Sequence, residues 1–131
     1  MRHHTPDTIR PPFANYAHAV EVPPGARLLF ASGQLGITRD DDVPEDAEAQ
    51  ADLCFEAIRA VLASAGMAMA DIVRINAFVS DRAHLQPYMR ARDRHVAEPA
   101  PASTLMIVSG FAREVFKVEV EVIAARAEPD A

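Results

Sequence analysis

Leu28-Leu29-Phe30-Ala31-Ser32-Gly33-Gln34-Leu35-Gly36 is the stretch on which the reading of this chain turns. Its apolar opening, Leu28 to Ala31, reads as a short buried strand. The two glycines at its end let the backbone bend and leave a hydroxyl and an amide, Ser32 and Gln34, exposed where the strand stops. Small-molecule sites are often built at such places. Ser32 and Gly33 are therefore candidate substrate-binding residues.

Working upstream, Tyr16 to Val22 reads as a first strand, and Pro23-Pro24-Gly25 turns it into the strand at Leu28 to Gln34, a hairpin-like start. Downstream, Asp40-Asp41-Asp42 forms a charged turn, and Pro44-Glu45-Asp46 suits the first turn of a helix. Ala51, Cys54, Phe55, Ile58, Val61, Leu62 and Ala65 recur at helical spacing, so the helix runs to about Ala65 and stops at Gly66. Ile72 to Ser80 alternates Val73, Ile75, Ala77 and Val79 against Arg74, Asn76 and Phe78, a strand with two differently used faces. A second helix covers about Ala83 to Val96, with Pro87 tolerated in its first turn. Pro99-Ala100-Pro101 breaks the chain before a short strand at Thr104 to Val108 and a longer one at Phe116 to Ala124. The order β-β-α-β-α-β-β implies an α+β domain with both helices on one face of a mixed or antiparallel sheet. Phe78, Met106, Val108 and Phe116 are candidates for the uncovered face; an uncovered apolar face normally means self-association, the alternative being a monomer with a half-polar solvent face.

Composition narrows the function. At 131 residues, half of them hydrophobic and 24% charged, the chain reads as one globular domain over 1–131, with a core at about 13–125 and loose tails at Met1 to Pro12 and Glu128 to Ala131. Thirteen basic against 19 acidic side chains give a net charge of −6, which argues against nucleic acid as a partner. Apolar runs fall short of a membrane span and the N-terminus lacks an apolar signal region, so no membrane association and a cytoplasmic location are expected. The single cysteine, Cys54, excludes an internal disulfide and sits on the buried stripe as a core filler. Five histidines without ligand spacing give no metal site, and no phosphate-binding loop or nucleophile elbow occurs.

Some residues can carry chemistry. Glu119 and Glu121 point the same way from the last strand, roughly 7 Å apart, and paired carboxylates can position or activate a water. The bland alternative is a solvated strand face with Lys117 as counter-charge. Arg92 falls by spacing on the inner stripe of the second helix with Leu85, Tyr88, Met89 and Val96, where a guanidinium must snorkel, pair with a carboxylate or face a cleft. Arg90 and Arg94 fall off that stripe as solvated residues. Ser103-Thr104 offers hydroxyls at a strand start, and Tyr16 opens its strand after Asn15.

Taken together, Asn15-Tyr16-Ala17-His18-Ala19-Val20, Ser32-Gly33-Gln34-Leu35-Gly36, Pro44-Glu45-Asp46 through Gln50, Ala65-Gly66, Asp71-Ile72-Val73 and Val118-Glu119-Val120-Glu121 resemble the Rid family, the reactive intermediate deaminases, also called YjgF-type or L-PSP-type proteins. The match runs from about residue 13 to 125. The resemblance implies a chorismate-mutase-like α+β fold and a homotrimer whose sheets line a central barrel, with clefts between subunits. It implies hydrolysis of 2-imino acids or their enamine tautomers to 2-keto acids and ammonia, with no metal or cofactor and a small molecule as the partner. It assigns Glu121 to placing the hydrolytic water and Tyr16 and Ser32 to the cleft wall.

Three positions depart from the family pattern. The arginine that grips the substrate carboxylate after a Pro-Ala pair falls here on Ser103, the family's asparagine on the second helix falls near Met89, and Arg92 replaces an aromatic residue. Losing a buried charge-assisted pair commonly costs about 2–5 kcal/mol. The chain thus resembles branches that lack that arginine. Two functions follow. One is hydrolysis of an imine, enamine or related reactive metabolite, with Tyr16 and Glu121 catalytic and Ser32, Gly33, Arg92, Ser103 and Thr104 binding substrate. The other is a non-catalytic trimer that binds a small metabolite or holds unfolded clients. The endoribonuclease of old family labels fits poorly with the acidic charge.

Overall fold

The computed structural model describes residues 1–128. Strand β1 (Arg2–His4) pairs antiparallel with β2 (Ala19–Glu21), and a separate four-stranded sheet follows. That sheet holds β3 (Arg27–Leu35), β4 (Ile72–Val79), β5 (Ala102–Ile107) and β6 (Val118–Arg126) in the order β3-β6-β4-β5. β6 runs antiparallel to both neighbours, whereas β4 and β5 are parallel and joined through helix α2 (Leu85–His95). Helix α1 (Ala47–Ser64) connects β3 to β4. The expected α+β architecture with a mixed sheet and two helices is present.

Local chemistry sets the helix ends. Asp46 is the cap of α1 rather than part of its first turn, its carboxylate accepting from the Ala49 N–H at 3.0 Å. Gly66, at φ +70°, lets the chain leave the other end. Pro87 does fall in the first turn of α2, which a short 3-10 turn at Arg82–His84 introduces. The core lies between helices and sheet. Phe55, Ile58 and Leu62 of α1 and Tyr88 and Ala91 of α2 pack on Ile75, Ala77, Val79, Val118, Val120, Val122 and Ala124. Cys54 is buried among them, and burial pushes its thiol up to about 12.

Several expectations change. The start is no hairpin: β2 turns away from β3 and pairs with Arg2–His4, inside the stretch expected to be a loose tail. His4 bonds Glu21 and His18 bonds the Arg10 carbonyl, each at 2.9 Å, which ties that segment down. Of the C-terminal tail, Pro129 to Ala131 lie outside the described residues, while Glu128 pairs with Arg27. The run Leu28 to Ala31 is not wholly buried. Successive strand side chains face opposite sides, so Leu29 and Ala31 pack on the core while Leu28 and Phe30 are 54% and 71% exposed. Phe116, expected on the open face, is buried, and Val108 lies beyond the end of β5. Arg90 and Arg94 are not simply solvated: Arg90 pairs with Glu48, and Arg94 with Glu48 and Asp52, across α1 and α2.

Candidate functional site

The segment ahead of β2 is held against the start of β5 by the Ala17 N–H, which donates to the Pro101 carbonyl at 3.0 Å. This brings Tyr16 beside Ser103. A cleft of about 230 Å³ opens there, walled by Phe13, Ala14 and Tyr16, by Met89 and Arg92 of α2, and by Ser103 and Leu105 of β5. Arg92 is 3% exposed, as its place on the inner stripe requires, and its Nε and Nη2 both donate to Asp93 Oδ1 at 3.2 and 3.0 Å. The guanidinium thus pairs with a carboxylate and faces a cleft at once. The Tyr16 hydroxyl accepts from the Phe13 N–H at 3.1 Å, which leaves its proton free for another acceptor. Such a cleft offers a cation, a phenol and a hydroxyl within mostly apolar walls.

A different set gathers on the open face of the sheet. Between Ala31, opposite Val122, and Gln34, opposite Val120, β3 carries an extra residue, so Ser32 and Gly33 together oppose Glu121. Such bulges re-aim side chains. The carboxylate of Glu119 lies over Gly33, where a Cβ would stand 2.5 Å from Oε1. Burial, and then the charge of Glu121, push the Glu119 carboxyl above its ordinary value. Lys117 is not their counter-charge, because its Nζ donates to the Glu45 carbonyl at the start of α1. Phe30, Asn76, Glu121 and Ile123 border a second cavity of about 210 Å³ here.

The sheet therefore separates the expected site residues of one chain. Tyr16, Arg92 and Ser103 share the cleft; Ser32, Gly33 and Glu121 share the opposite face. Ser103 and Thr104, read from sequence as a pair, point to opposite sides. Thr104 joins the open face, where its Oγ1 accepts from Arg74 Nη2 at 2.6 Å. Arg74 Nε donates to Asn76 Oδ1 at 3.1 Å, and Asn76 Nδ2 donates to Glu121 Oε1 at 3.2 Å. Neither Arg74 nor Asn76 was singled out for chemistry by the sequence, although its alternation had put both on one face.

Residues 8–126, nearly all of the chain, match the family model described as Endoribonuclease L-PSP. The chain belongs to this L-PSP family. Its relatives carry Rid-type names, in keeping with the resemblance. It is 33% identical over 115 residues to the RutC family protein YjgH of Escherichia coli, covering 86% of this chain and 85% of the relative. The 2-iminobutanoate/2-iminopropanoate deaminase of Escherichia coli is 28% identical over 115 residues, with coverage of 85% and 87%. Among solved structures, the Rid-family protein YyfB of Yersinia pestis superimposes with a TM-score of 0.80 at 28% identity, over 94% of this chain and 96% of that one. This L-PSP chain thus carries the family fold over residues 8–126. No helix among its described residues is long and apolar enough to cross a membrane.

Proposed function

We propose that this Rid-family chain hydrolyses a reactive imine or enamine of small-metabolite size in clefts formed between copies of a homotrimer. The observation that carries the reading is the position of Arg92. Its nearly buried guanidinium opens on the same cleft as Ser103, the position where the resemblance expects an arginine and the chain has none. A cation supplied from α2 replaces the one missing from β5 and receives an anionic end of the substrate, the geometry a guanidinium favours.

The remaining roles follow from the two half-sites. Tyr16 orients the substrate, Ser103 bonds its polar edge, and Ser32, Gly33, Thr104 and Glu121 come from the open face of a neighbouring copy. Glu121 takes a proton from water as the oxygen attacks the C=N carbon. It hands that proton to the nitrogen, and the carbinolamine so formed passes its hydroxyl proton to the departing nitrogen, expelling ammonia and leaving the carbonyl product. Exposed Leu28, Phe30 and Met106 on that face support association of copies.

Incubation with freshly generated 2-iminopropanoate, following loss of its semicarbazone, tests the reading. Faster imine decay than in buffer supports it, and decay at the buffer rate rejects it. Light scattering should find three chains of 14.2 kDa, about 43 kDa together, and a monomer would rule out the shared cleft. Ser103 itself favours a second reading, a trimer that binds the metabolite without turning it over; saturable keto-acid binding with no imine decay would select that one.

A further inference from the structure

We propose that Arg74 is a positioning residue, which through Asn76 holds the Glu121 carboxylate in the orientation that accepts a proton from water. The inference rests on the proposed hydrolysis and adds to it residues outside the expected site. Glu121, Asn76 and Thr104 occupy one row across β6, β4 and β5, and Arg74 lies one pleat along on the same face.

The row has a direction. An asparagine amide can present either its oxygen or its nitrogen to a neighbour, and facing its oxygen to a carboxylate is repulsive. Arg74 removes the choice by donating from Nε to Asn76 Oδ1 at 3.1 Å, which turns Nδ2 toward Glu121 Oε1 at 3.2 Å. Arg74 is fixed in turn by Thr104 Oγ1 at 2.6 Å. The hydrogen bonds of this guanidinium go to neutral acceptors rather than to a carboxylate, so its geometry serves the row and not an ion pair. With Oε1 occupied by the amide, Oε2 is left to receive the water proton. Glu119, on the same face, has no such support: among the described residues no side chain donates to it, and its carboxyl is pushed upward. The row thereby orients Glu121, and not Glu119, through a side-chain donor.

The fork of Arg74, more than its charge, does this work, and that separates the outcomes. Arg74→Met and Arg74→Lys are both expected to lower kcat about 10-fold with little change in KM, because lysine cannot bond Asn76 and Thr104 as a rigid fork. Thr104→Val, which loosens one anchor, should lower kcat less. An Arg74→Lys variant at the wild-type rate, or an effect confined to KM, overturns the proposal. The asparagines of the chain are Asn15 and Asn76, so the side-chain amide of Asn76 can be followed in 15N-labelled protein without any substrate, assigned through Asn76→Leu. Its protons should exchange slowly in the wild type and fast in Arg74→Met; unchanged exchange also overturns the proposal. Should the wild type hydrolyse no imine, the proposed function falls, and the amide exchange still decides whether Arg74 holds the row.

Discussion

The carboxylate of Glu119 rests on Gly33: a Cβ built there would lie 2.5 Å from Oε1 and 2.9 Å from Cγ of that glutamate. The contact is with a flexible side chain, so Glu119 can swing away. Gly33→Ala is therefore expected to fold with a loss of about 1 kcal/mol in urea. Combining it with Glu119→Ala should recover most of that loss, since the clash has then been removed. Additive losses in the double variant would show that the bulge backbone, not Glu119, demands glycine.

Gly36 is a stricter case. A Cβ there would meet the α1 backbone at Gln50 Cα, at 2.6 Å, which no rotamer change relieves. Gln50 is fully buried, donating to the Pro44 and Val115 carbonyls and accepting from the Lys117 N–H, all at 2.8 Å. It joins the start of α1 to the approach to β6. Gly36→Ala should cost about 2–3 kcal/mol by overpacking. Gln50→Leu should cost about 2–4 kcal/mol, because backbone groups lose their partners inside the protein. Denaturation midpoints check both, and a wild-type midpoint for Gln50→Leu would mean that water replaces the amide.

The helices, the core strands and the inward place of Arg92 were legible because each depends on local periodicity. Periodicity also places Glu119 with Glu121 and Arg74 with Asn76. What it cannot give is strand register. That Ser32 and Gly33 both oppose Glu121 follows from a bulge, and that Arg74 reaches Thr104 follows from β4 lying parallel to β5. The pairing of Arg2–His4 with Ala19–Glu21 was hidden for the same reason, as a polar run of His and Arg carries no alternation. Leu28 and Phe30 misled by sitting in an unbroken apolar run, whose outward half has no covering layer in the single chain.

Cys54 offers a direct check on the core. Its thiol lies inside α1's buried stripe, and burial raises it to about 12, so almost no thiolate exists at neutral pH. A thiol reagent should label it only as fast as the protein unfolds, and addition of denaturant should release the full reaction. Immediate labelling of native protein would contradict this packing.

Arg92→Met keeps much of the apolar stem and removes the charge. Asp93, its partner, is half-exposed and remains solvated. Stability should change by under about 1 kcal/mol, whereas KM for a carboxylate-bearing imine should rise about 30-fold or more, for loss of a charge-assisted grip. An unchanged KM would retire Arg92 as the replacement cation.

Glu119 makes stability depend on pH in the direction opposite to a salt-bridged acid. Its folded carboxyl holds its proton to a higher pH than the ordinary glutamate value of 4.5, first through burial and then through Glu121. Between those values the folded state binds more protons than the unfolded one, so this group's contribution falls as pH rises through the window. Glu119→Gln stays neutral throughout. Relative to the wild type, the variant should therefore gain stability as pH rises above 4.5 and level off once the folded carboxyl has ionised. Urea melts of the two proteins between pH 4 and pH 8 measure that difference directly. A difference that is flat, or that grows toward acid, would place the Glu119 carboxylate in a far more solvated position than beneath the bulge of β3.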